Sequence, residues 1–373
     1  MDWRAIEQLV AAYHGGAIGR REFGRQALRL GVGASALPAV LTAVLGRSAA
    51  AQPLRGSGEV VVCTWGGSYA EAQKKAFFEP FEKESGIRVR VVGVPDLAKL
   101  HAMVANKAVE WDVVDGEGQM MLRLAAQDML ERADYSIIPR ADLIPELATD
   151  WGIGSVAYSY VVGWSKKTFG TKEPAGWKDF FDAAAFPGRR AMYAQPMPAL
   201  ELALLAAGTP ADKLYPLDVD RAFKLLEQHK PLINVWYKNI TQIPTLMRGE
   251  EVDLIEATST RMIELGRGGV PVGWTWNQGA WMQSFWIVPK GAPNRENAMK
   301  LLAFYTRPEP EAQFVQAFPL GMPSRKAYPL MPKETLALLP TSPGNIERQL
   351  RVDSAWWAKN VEEITKRWLA FVG

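Results

Sequence analysis

The side chains that most often carry catalysis are sparse in this chain. After residue 51 the sequence holds two histidines, His101 and His229, and one cysteine, Cys63. Neither histidine has the further His, Cys or clustered carboxylates that a metal centre needs, and Cys63 lies in an apolar run typical of a buried strand. The motifs G-x-S-x-G and H-E-x-x-H and the phosphate-binding P-loop are absent from the sequence. We therefore expect no enzyme activity, no metal and no cofactor.

Side chains that could bind a small solute are better represented. Asp115 and Glu117 stand on one glycine-containing turn, although they supply too few oxygen atoms for a calcium loop. Trp65 directly precedes two glycines at the end of a predicted strand. The chain has 14 tryptophans, and a surplus of aromatic side chains is typical of aromatic-walled ligand sites. These features favour binding over catalysis.

Strands and helices alternate along most of the chain. Short apolar runs predict buried strands, and segments with apolar residues every three to four positions predict the helices between them. This alternation indicates parallel sheet covered by helices. The predicted strands include residues 60–65, 87–94, 111–114, 233–237 and 252–255, and the predicted helices include 69–81, 97–108, 120–130, 177–181, 219–229, 243–248, 261–266 and 354–371.

Two extended stretches connect two such α/β units, near residues 156–164 and 285–289. The 322 residues after position 51 are too many for one ordinary core, so two domains are expected. A pair of crossing strands suits a hinge, because a few residues at the crossings can absorb a domain closure.

The first 51 residues are typical of an export signal. Paired arginines at positions 20–21 precede an apolar stretch at 28–45 and three alanines at 49–51. That order predicts a positive region, an apolar region and a cleavage site, and the arginine pair is typical of the twin-arginine route. The interrupted apolar stretch is short for a membrane-spanning helix, which favours a cleaved signal over an anchor. We expect a periplasmic protein.

The charge of the chain also lies in this segment. Its six arginines and three acidic residues account for the formal net charge of +3. The remaining chain is neutral and offers no basic footprint for nucleic acid, so no nucleic-acid partner is expected. A single cysteine excludes a disulfide within the chain.

Six short segments, in this order, resemble the periplasmic solute-binding proteins of ABC importers, of the type that includes the spermidine/putrescine-binding proteins. The resemblance covers nearly all of the chain after the signal. It implies an α/β fold of two lobes joined by a two-strand hinge, and a monomer that holds a small organic solute between the lobes. An ABC permease in the inner membrane would receive that solute. The segments are residues 64–69, 78–87, 111–114, 174–180, 247–253 and 287–292.

On this pattern the chain divides into four parts. The export signal covers residues 1–51. The first lobe combines residues 58–157 and 287–345, and the second lobe covers 158–286. Residues 346–373 form a C-terminal helix that packs on a lobe.

The resemblance and the residue types together predict ten ligand-binding residues. Trp65 matches the family's aromatic residue after the first strand, and its ring could hold an aliphatic stem or an ammonium group. Trp281 matches an aromatic residue at the second crossing, and the loop carrying Gly321 and Met322 reaches the cleft. The ten residues are Trp65, Tyr69, Glu117, Gln119, Gln195, Asn239, Glu256, Thr258, Trp281 and Gln283.

Two departures from the polyamine binders bear on the solute. Gln283 stands where those proteins carry an aspartate that pairs with an amine, and Glu256 stands where they carry an aromatic residue. Glu256, with Asp115 or Glu117 facing it, could hold one ammonium group. The resemblance therefore implies an amine, an amino-acid-like zwitterion or a polyamine-like solute, and glutamine in place of the aspartate favours the less cationic of these.

Several alternatives stay open at this point. The same scaffold could support a periplasmic enzyme, because a fold does not fix a function. Related two-lobed folds bind ferric ion, although the paired tyrosines of such sites are absent and Tyr158 and Tyr160 lie in a crossing strand. Arg261 could bind a solute carboxylate or could be an ordinary surface residue. Trp274 and Trp276 could line a site or a core.

Overall fold

The computed structural model describes residues 20–30 and 54–373. Helix α1 (Arg20–Arg29) is the described part of the predicted signal, and the predicted cleavage site at 49–51 lies outside the described residues. Residues 55–373 form a compact unit of their own. Within the described ranges, no helix is both long and apolar enough to cross a membrane.

The strands of this unit form one mixed sheet. In the described residues it has nine strands, in the order β2-β1-β3-β8-β4-β7-β5-β6, with β9 beside β8. Strands β2, β1 and β3 are parallel to one another, and so are β7, β5 and β6. The two central strands, β4 and β8, are antiparallel to each other. β4 is also antiparallel to β7, and β8 is antiparallel to β3. The strands are β1 (Glu59–Cys63), β2 (Arg88–Val92), β3 (Val113–Glu117), β4 (Ile153–Ser165), β5 (Arg190–Tyr193), β6 (Ile233–Tyr237), β7 (Leu254–Thr258), β8 (Val272–Ile287) and β9 (Leu350–Arg351).

Helices fill most of the connections between the strands. The α-helices are α2 (Gly67–Gln73), α3 (Glu79–Ser85), α4 (Leu97–Ala105), α5 (Gly118–Ala126), α6 (Lys166–Phe169), α7 (Trp177–Phe181), α8 (Pro196–Ala206), α9 (Val219–His229), α10 (Ile243–Arg248), α11 (Ser259–Arg267), α12 (Arg295–Tyr305), α13 (Pro308–Ala317), α14 (Lys333–Leu336), α15 (Pro343–Ile346) and α16 (Ser354–Val372). A π-helical turn (Lys74–Phe78) joins α2 to α3, and 3₁₀ turns cover Arg140–Asp142, Pro145–Leu147, Ala211–Lys213, Lys230–Leu232, Ile240–Gln242 and Arg325–Leu330.

Two long strands, β4 and β8, connect the two halves of the sheet. They pair along nearly their whole length, from Ile153 opposite Trp286 to Ser165 opposite Val272. β3 borders β8 at one end, and β7 borders β4 at the other. The first predicted crossing is confirmed, and the second is longer than predicted because β8 begins at Val272. The pairing is irregular at two places along β4, between residues 154 and 156 and between 160 and 162.

The first half has its core on the parallel strands β1 and β3. Val61, Cys63 and Val114 pack with Leu100 and Trp281 in one buried cluster. Helix α2 begins at Gly67, two residues before the predicted start at residue 69. Its N-cap is Gly66, whose positive φ of 75° is a backbone conformation that favours glycine.

The second half buries side chains on both faces of its sheet. Because successive strand residues point to opposite faces, Val162 and Trp164 of β4 join one cluster with Trp177. Val161 joins another cluster with Ile255 on the opposite face. Two-sided burial explains why these strands are continuously apolar in the sequence.

Helix α16 closes the fold at the C-terminus. Asp353 caps it by accepting hydrogen bonds from the backbone N–H groups of residues 355 and 356, at 2.8 and 3.0 Å. Trp357, Ile364 and Trp368 form its apolar stripe and pack with the second-half cluster that contains Trp164. On its polar side, Glu362 forms an ion pair with Arg123 of α5.

Candidate functional site

The candidate residues lie where parallel strands end in both halves of the sheet. Trp65 follows β1 and Glu117 ends β3, while Tyr193, Tyr237 and Thr258 end β5, β6 and β7. Ligands of open α/β sheets bind outside the carboxyl ends of parallel strands. The topology therefore gives each half one edge suited to hold part of a solute.

Trp65 is one of the few exposed large apolar side chains of the described residues, with 41% of its surface accessible. The two glycines after it have positive φ angles, 75° at Gly66 and 59° at Gly67. A Cβ atom at either position would meet nothing within 4 Å. The glycines are thus needed for backbone conformation rather than for space, and the turn they make leaves the Trp65 ring uncovered.

Asp115 organises a buried network at the edge of the first half. Its carboxylate accepts hydrogen bonds from the Tyr69 hydroxyl at 3.0 Å and from the Ser155 hydroxyl at 2.6 Å. Asp115 is fully buried, and burial raises its pKa to about 7 despite these two donors. Because both carboxylate oxygens already have partners, Asp115 links helix α2 to strand β4 and positions Tyr69.

Glu117 lies two residues further and is only half-buried. Its carboxylate accepts a hydrogen bond from the Gln119 side chain, and burial raises its pKa. The Tyr158 hydroxyl is also a hydrogen-bonding neighbour of this carboxylate. Burial is the main cause of the raised pKa of Tyr193. The negative charges of Glu117, in the first half, and Glu256, in the second half, raise it further. The two carboxylates therefore converge on the same tyrosine.

Glu256 has the most unusual environment of the predicted residues. It is fully buried on β7, and its Oε2 atom accepts a hydrogen bond from the backbone N–H of Tyr193 at 3.1 Å. Its Oε1 atom is buried and has no hydrogen-bond partner in the described residues. Burial raises the pKa of Glu256 to about 8. A buried, half-satisfied carboxylate is costly unless something else supplies a donor or a positive charge.

Four tyrosines form a continuous row beside these acids, which we call the tyrosine row (Tyr158, Tyr160, Tyr193 and Tyr237). Ring centroids lie 6.2 Å apart from Tyr158 to Tyr160, 5.9 Å from Tyr160 to Tyr193 and 5.3 Å from Tyr193 to Tyr237. The Tyr237 hydroxyl donates to the backbone carbonyl of Glu256 at 2.7 Å. Tyr160 and Tyr237 are buried, whereas Tyr158 and Tyr193 are partly exposed, so the accessible ring surface of the row comes from Tyr158 and Tyr193.

Sequence reasoning missed Tyr193 and Tyr237 as site residues. Strand β5, which ends at Tyr193, was not predicted because it has four residues and begins with the charged Arg190. Arg190 is nevertheless buried, because its guanidinium donates to backbone carbonyls, including that of Phe180 at 2.6 Å. Tyr237 ends the predicted strand at residues 233–237, and an aromatic residue at the carboxyl end of a parallel strand is the signal that could have found it.

Two predicted residues lie inside the sheet. Trp281 is 3% exposed and packs in the first-half core with Phe285, and Gln283 is 6% exposed on the same strand β8. The loop residue Gly321 exchanges both backbone hydrogen bonds with Ala157, at 2.7 and 2.8 Å. These residues pack against or pair with the crossing strands, and their side chains have little accessible surface.

The remaining predicted residues are not joined to this network. Gln195 is exposed at the N-cap of α8, and the Asn239 side chain is used to cap the 3₁₀ turn Ile240–Gln242. Thr258 is buried and accepts a hydrogen bond from the Thr260 hydroxyl at 3.3 Å. Arg261 forms an ion pair with Glu264 at 2.6 Å.

The described residues contain no group of three or more His, Cys, Asp or Glu side chains placed to hold a metal ion. What they do contain is an aromatic row, a buried carboxylate with a free oxygen and a second carboxylate nearby. That combination can hold a small organic cation through charge and through the faces of aromatic rings.

Comparison with known proteins decides the family. The family model described as bacterial extracellular solute-binding protein matches residues 76–340. The chain belongs to this family. A gamma-aminobutyric acid (GABA)-binding protein of Pseudomonas aeruginosa is 32% identical over 323 residues, covering 84% of this chain and 91% of that protein. The spermidine/putrescine-binding periplasmic protein of Escherichia coli is 21% identical over 279 residues, covering 72% of this chain and 79% of that protein.

Solved structures agree with this assignment. An ABC transporter substrate-binding protein from Bradyrhizobium japonicum is 36% identical with a TM-score of 0.81, covering 85% of this chain and all of its own. A protein described as a GABA receptor is 37% identical with a TM-score of 0.80, covering 84% of this chain and 98% of its own. The predicted two-lobed fold is thereby confirmed. The chain is the substrate-binding component of an ABC transporter, and proteins of this kind deliver small solutes to a membrane permease.

Proposed function

We propose that the solute is a small molecule with a single ammonium group, of the size and charge of GABA. The observation that carries this proposal is the Oε1 atom of Glu256, which is buried and has no partner among the described residues. An ammonium group placed against this oxygen would form a charge-assisted hydrogen bond, worth about 1.5–3 kcal/mol. Tyr158 and Tyr193, the partly exposed members of the tyrosine row, would cover the aliphatic part of the same molecule.

The distribution of carboxylates supports one ammonium group rather than several. Asp115 has partners on both of its oxygens, and Gln283 is neutral where the polyamine binders carry an aspartate. Glu117 already has the Gln119 side chain as a hydrogen-bond donor. The similarity to proteins named for GABA, at 32% and 37% identity, supports the same class of solute.

The carboxylate end of such a solute needs a positive environment. Helix α11 begins directly after β7, three residues beyond Glu256, and its N-terminus carries a partial positive charge. The Ser259 hydroxyl on its first turn is buried and has no partner in the described part of the chain, and Arg261 lies on the same turn. We assign the solute carboxylate to this helix end.

Calorimetry with four probes at pH 8 tests the proposal. GABA should bind most tightly, butylamine less tightly because it has no carboxylate, and butyrate and spermidine weakly or not at all. Replacing Glu256→Gln should weaken GABA binding, whereas the matched control Glu251→Gln, an exposed acid of the same lobe, should leave it unchanged. Tighter binding of spermidine than of GABA would overturn the assignment of a single ammonium group.

The cellular setting completes the proposal. The chain would reach the periplasm through a twin-arginine signal cleaved after residue 51, and would act there as a monomer without transforming its solute. Mass spectrometry of the mature protein would give its first residue, and Arg20→Lys with Arg21→Lys should retain it in the cytoplasm. Incubation with GABA followed by NMR should show no product, since any turnover would favour the enzyme alternative.

A further inference from the structure

A separate cavity lies beside the end of β4 and the start of β8, away from the residues assigned to the solute. Its volume is about 470 Å³, within the range of small-molecule sites. The side chains that matter most around it are aromatic or charged. They are Trp164, Glu173, Trp274, Trp276, Asn277 and Arg348.

Two tryptophans form a right-angled corner in this cavity. The ring centroids of Trp274 and Trp276 lie 4.7 Å apart and their planes meet at 87°. Trp276 is buried and its indole N–H donates to the Ala337 carbonyl at 3.4 Å, whereas Trp274 is partly exposed. A flat ring lying on Trp274 would present its edge to Trp276, which is a favourable arrangement for aromatic groups.

The cavity also carries one charge of each sign. Arg348 and Glu173 both line it, and neither forms an ion pair within the described residues. An arginine fork binds a carboxylate with two parallel hydrogen bonds, and a glutamate binds an ammonium group. A single molecule with both groups could therefore neutralise both side chains.

The walls of the cavity are held in place by hydrogen bonds. The Asn277 side chain donates to the Ala175 carbonyl at 2.5 Å, and the Trp177 indole donates to the Gln278 carbonyl at 2.8 Å. The Gln278 N–H in turn donates to the Arg348 carbonyl at 2.8 Å. Three chain segments are thus tied together before any ligand arrives, which lowers the entropic cost of binding.

One buried donor adjoins the cavity. The indole N–H of Trp164 is buried and has no acceptor in the described residues. Trp164 belongs to β4 and Trp274 to β8, so an occupant of the cavity would contact both strands that join the lobes. We propose that the cavity is a second binding site, which takes an amino acid with an aromatic side chain. Its ring lies on Trp274, its carboxylate pairs with Arg348 and its ammonium group pairs with Glu173.

Ligand-detected NMR titration of the mature chain with L-phenylalanine tests this site. Phenylacetate, which lacks the ammonium group, and phenethylamine, which lacks the carboxylate, should each bind at least about tenfold more weakly. Arg348→Ala and Glu173→Ala should cause the same loss, because both side chains are exposed and the fold does not depend on them. Trp274→Leu should abolish binding, with circular dichroism confirming the fold.

Two controls separate this site from the cleft. Arg325→Ala removes another exposed arginine without an ion pair among the described residues, and should bind phenylalanine as the unchanged protein does. Saturating GABA and the Glu256→Gln variant should also leave phenylalanine binding unchanged. Displacement of phenylalanine by GABA, binding that survives Arg348→Ala, or no binding at millimolar phenylalanine would each overturn the proposal.

Discussion

Replacing Glu256 by glutamine should remove the pH dependence of solute binding. The pKa of this buried carboxyl is raised to about 8, so in the empty protein it is mostly protonated at neutral pH. The ammonium group of GABA, like that of lysine, stays charged well above pH 8. Binding therefore needs the ionised form of Glu256, and the solute must displace a proton to obtain it.

The size of the effect follows from the ionised fraction. With a pKa of about 8, that fraction is about 1% at pH 6, about 10% at pH 7 and about half at pH 8. Because the apparent dissociation constant equals the intrinsic constant divided by the competent fraction, affinity should rise about 50-fold between pH 6 and pH 8. At pH 7 about 90% of Glu256 is still protonated in the empty protein, so each binding event should release about 0.9 protons.

The glutamine variant cannot ionise, so its affinity should be flat across this range. At pH 8 it should bind about 10- to 150-fold more weakly than the unchanged protein, which corresponds to losing a hydrogen bond worth about 1.5–3 kcal/mol to a charged group. At pH 6 the two proteins should differ little, since the native side chain is then almost wholly protonated.

Calorimetry in two buffers with different ionisation enthalpies measures both the affinity and the proton release. Glu251→Gln serves as the control and should keep the slope of the unchanged protein. The same pH slope and the same proton release in Glu256→Gln would refute this role of Glu256, because another group would then be the one that titrates on binding.

Three further outcomes follow from the geometry. Between pH 6 and pH 8 the melting temperature of the empty protein should fall. Asp115 and Glu256 have raised pKa values, so in this range the folded state still binds protons that the unfolded state has released. A constant or rising melting temperature would contradict this. Trp65→Ala should weaken solute binding by about 0.5–2 kcal/mol. Its melting temperature should change little, since the ring is 41% exposed. An unchanged dissociation constant by calorimetry would show that Trp65 is not part of the site. Gly321→Ala should destabilise the fold by about 1–3 kcal/mol in chemical unfolding, because its Cβ would lie 2.5 Å from a threonine methyl carbon, whereas Gly266→Ala, with open space around it, should not.

The regular elements were predictable wherever the apolar period was clear. Helices α7, α9 and α10 begin and end at the predicted residues, as does strand β6. The last of these helices ends at Arg248, just before Gly249, which is its C-cap. In these segments local preference and tertiary packing favour the same structure, so the sequence pattern alone was sufficient.

The chemistry of the site was less accessible from the sequence. The resemblance points to Glu256, but its unpaired oxygen depends on which donors the fold brings to β7, and spacing along the chain does not contain that information. Trp281 matched an aromatic position of the family, yet it packs in the core because β8 is covered on that face. A residue type predicts what a side chain can do, and the tertiary neighbours decide whether it is free to do it.

The two irregularities in the pairing of β4 bear on how the lobes could move. Each interrupts the backbone ladder, one between residues 154 and 156 and the other between 160 and 162, with Tyr158 midway between them. A strand bends most easily where its ladder is broken, so these two points are natural pivots in an otherwise stiff ribbon. The resting angle of the lobes could then be tuned by substitutions at the first pivot, which lies outside the tyrosine row, changing how often the protein closes without altering any atom that touches its cargo.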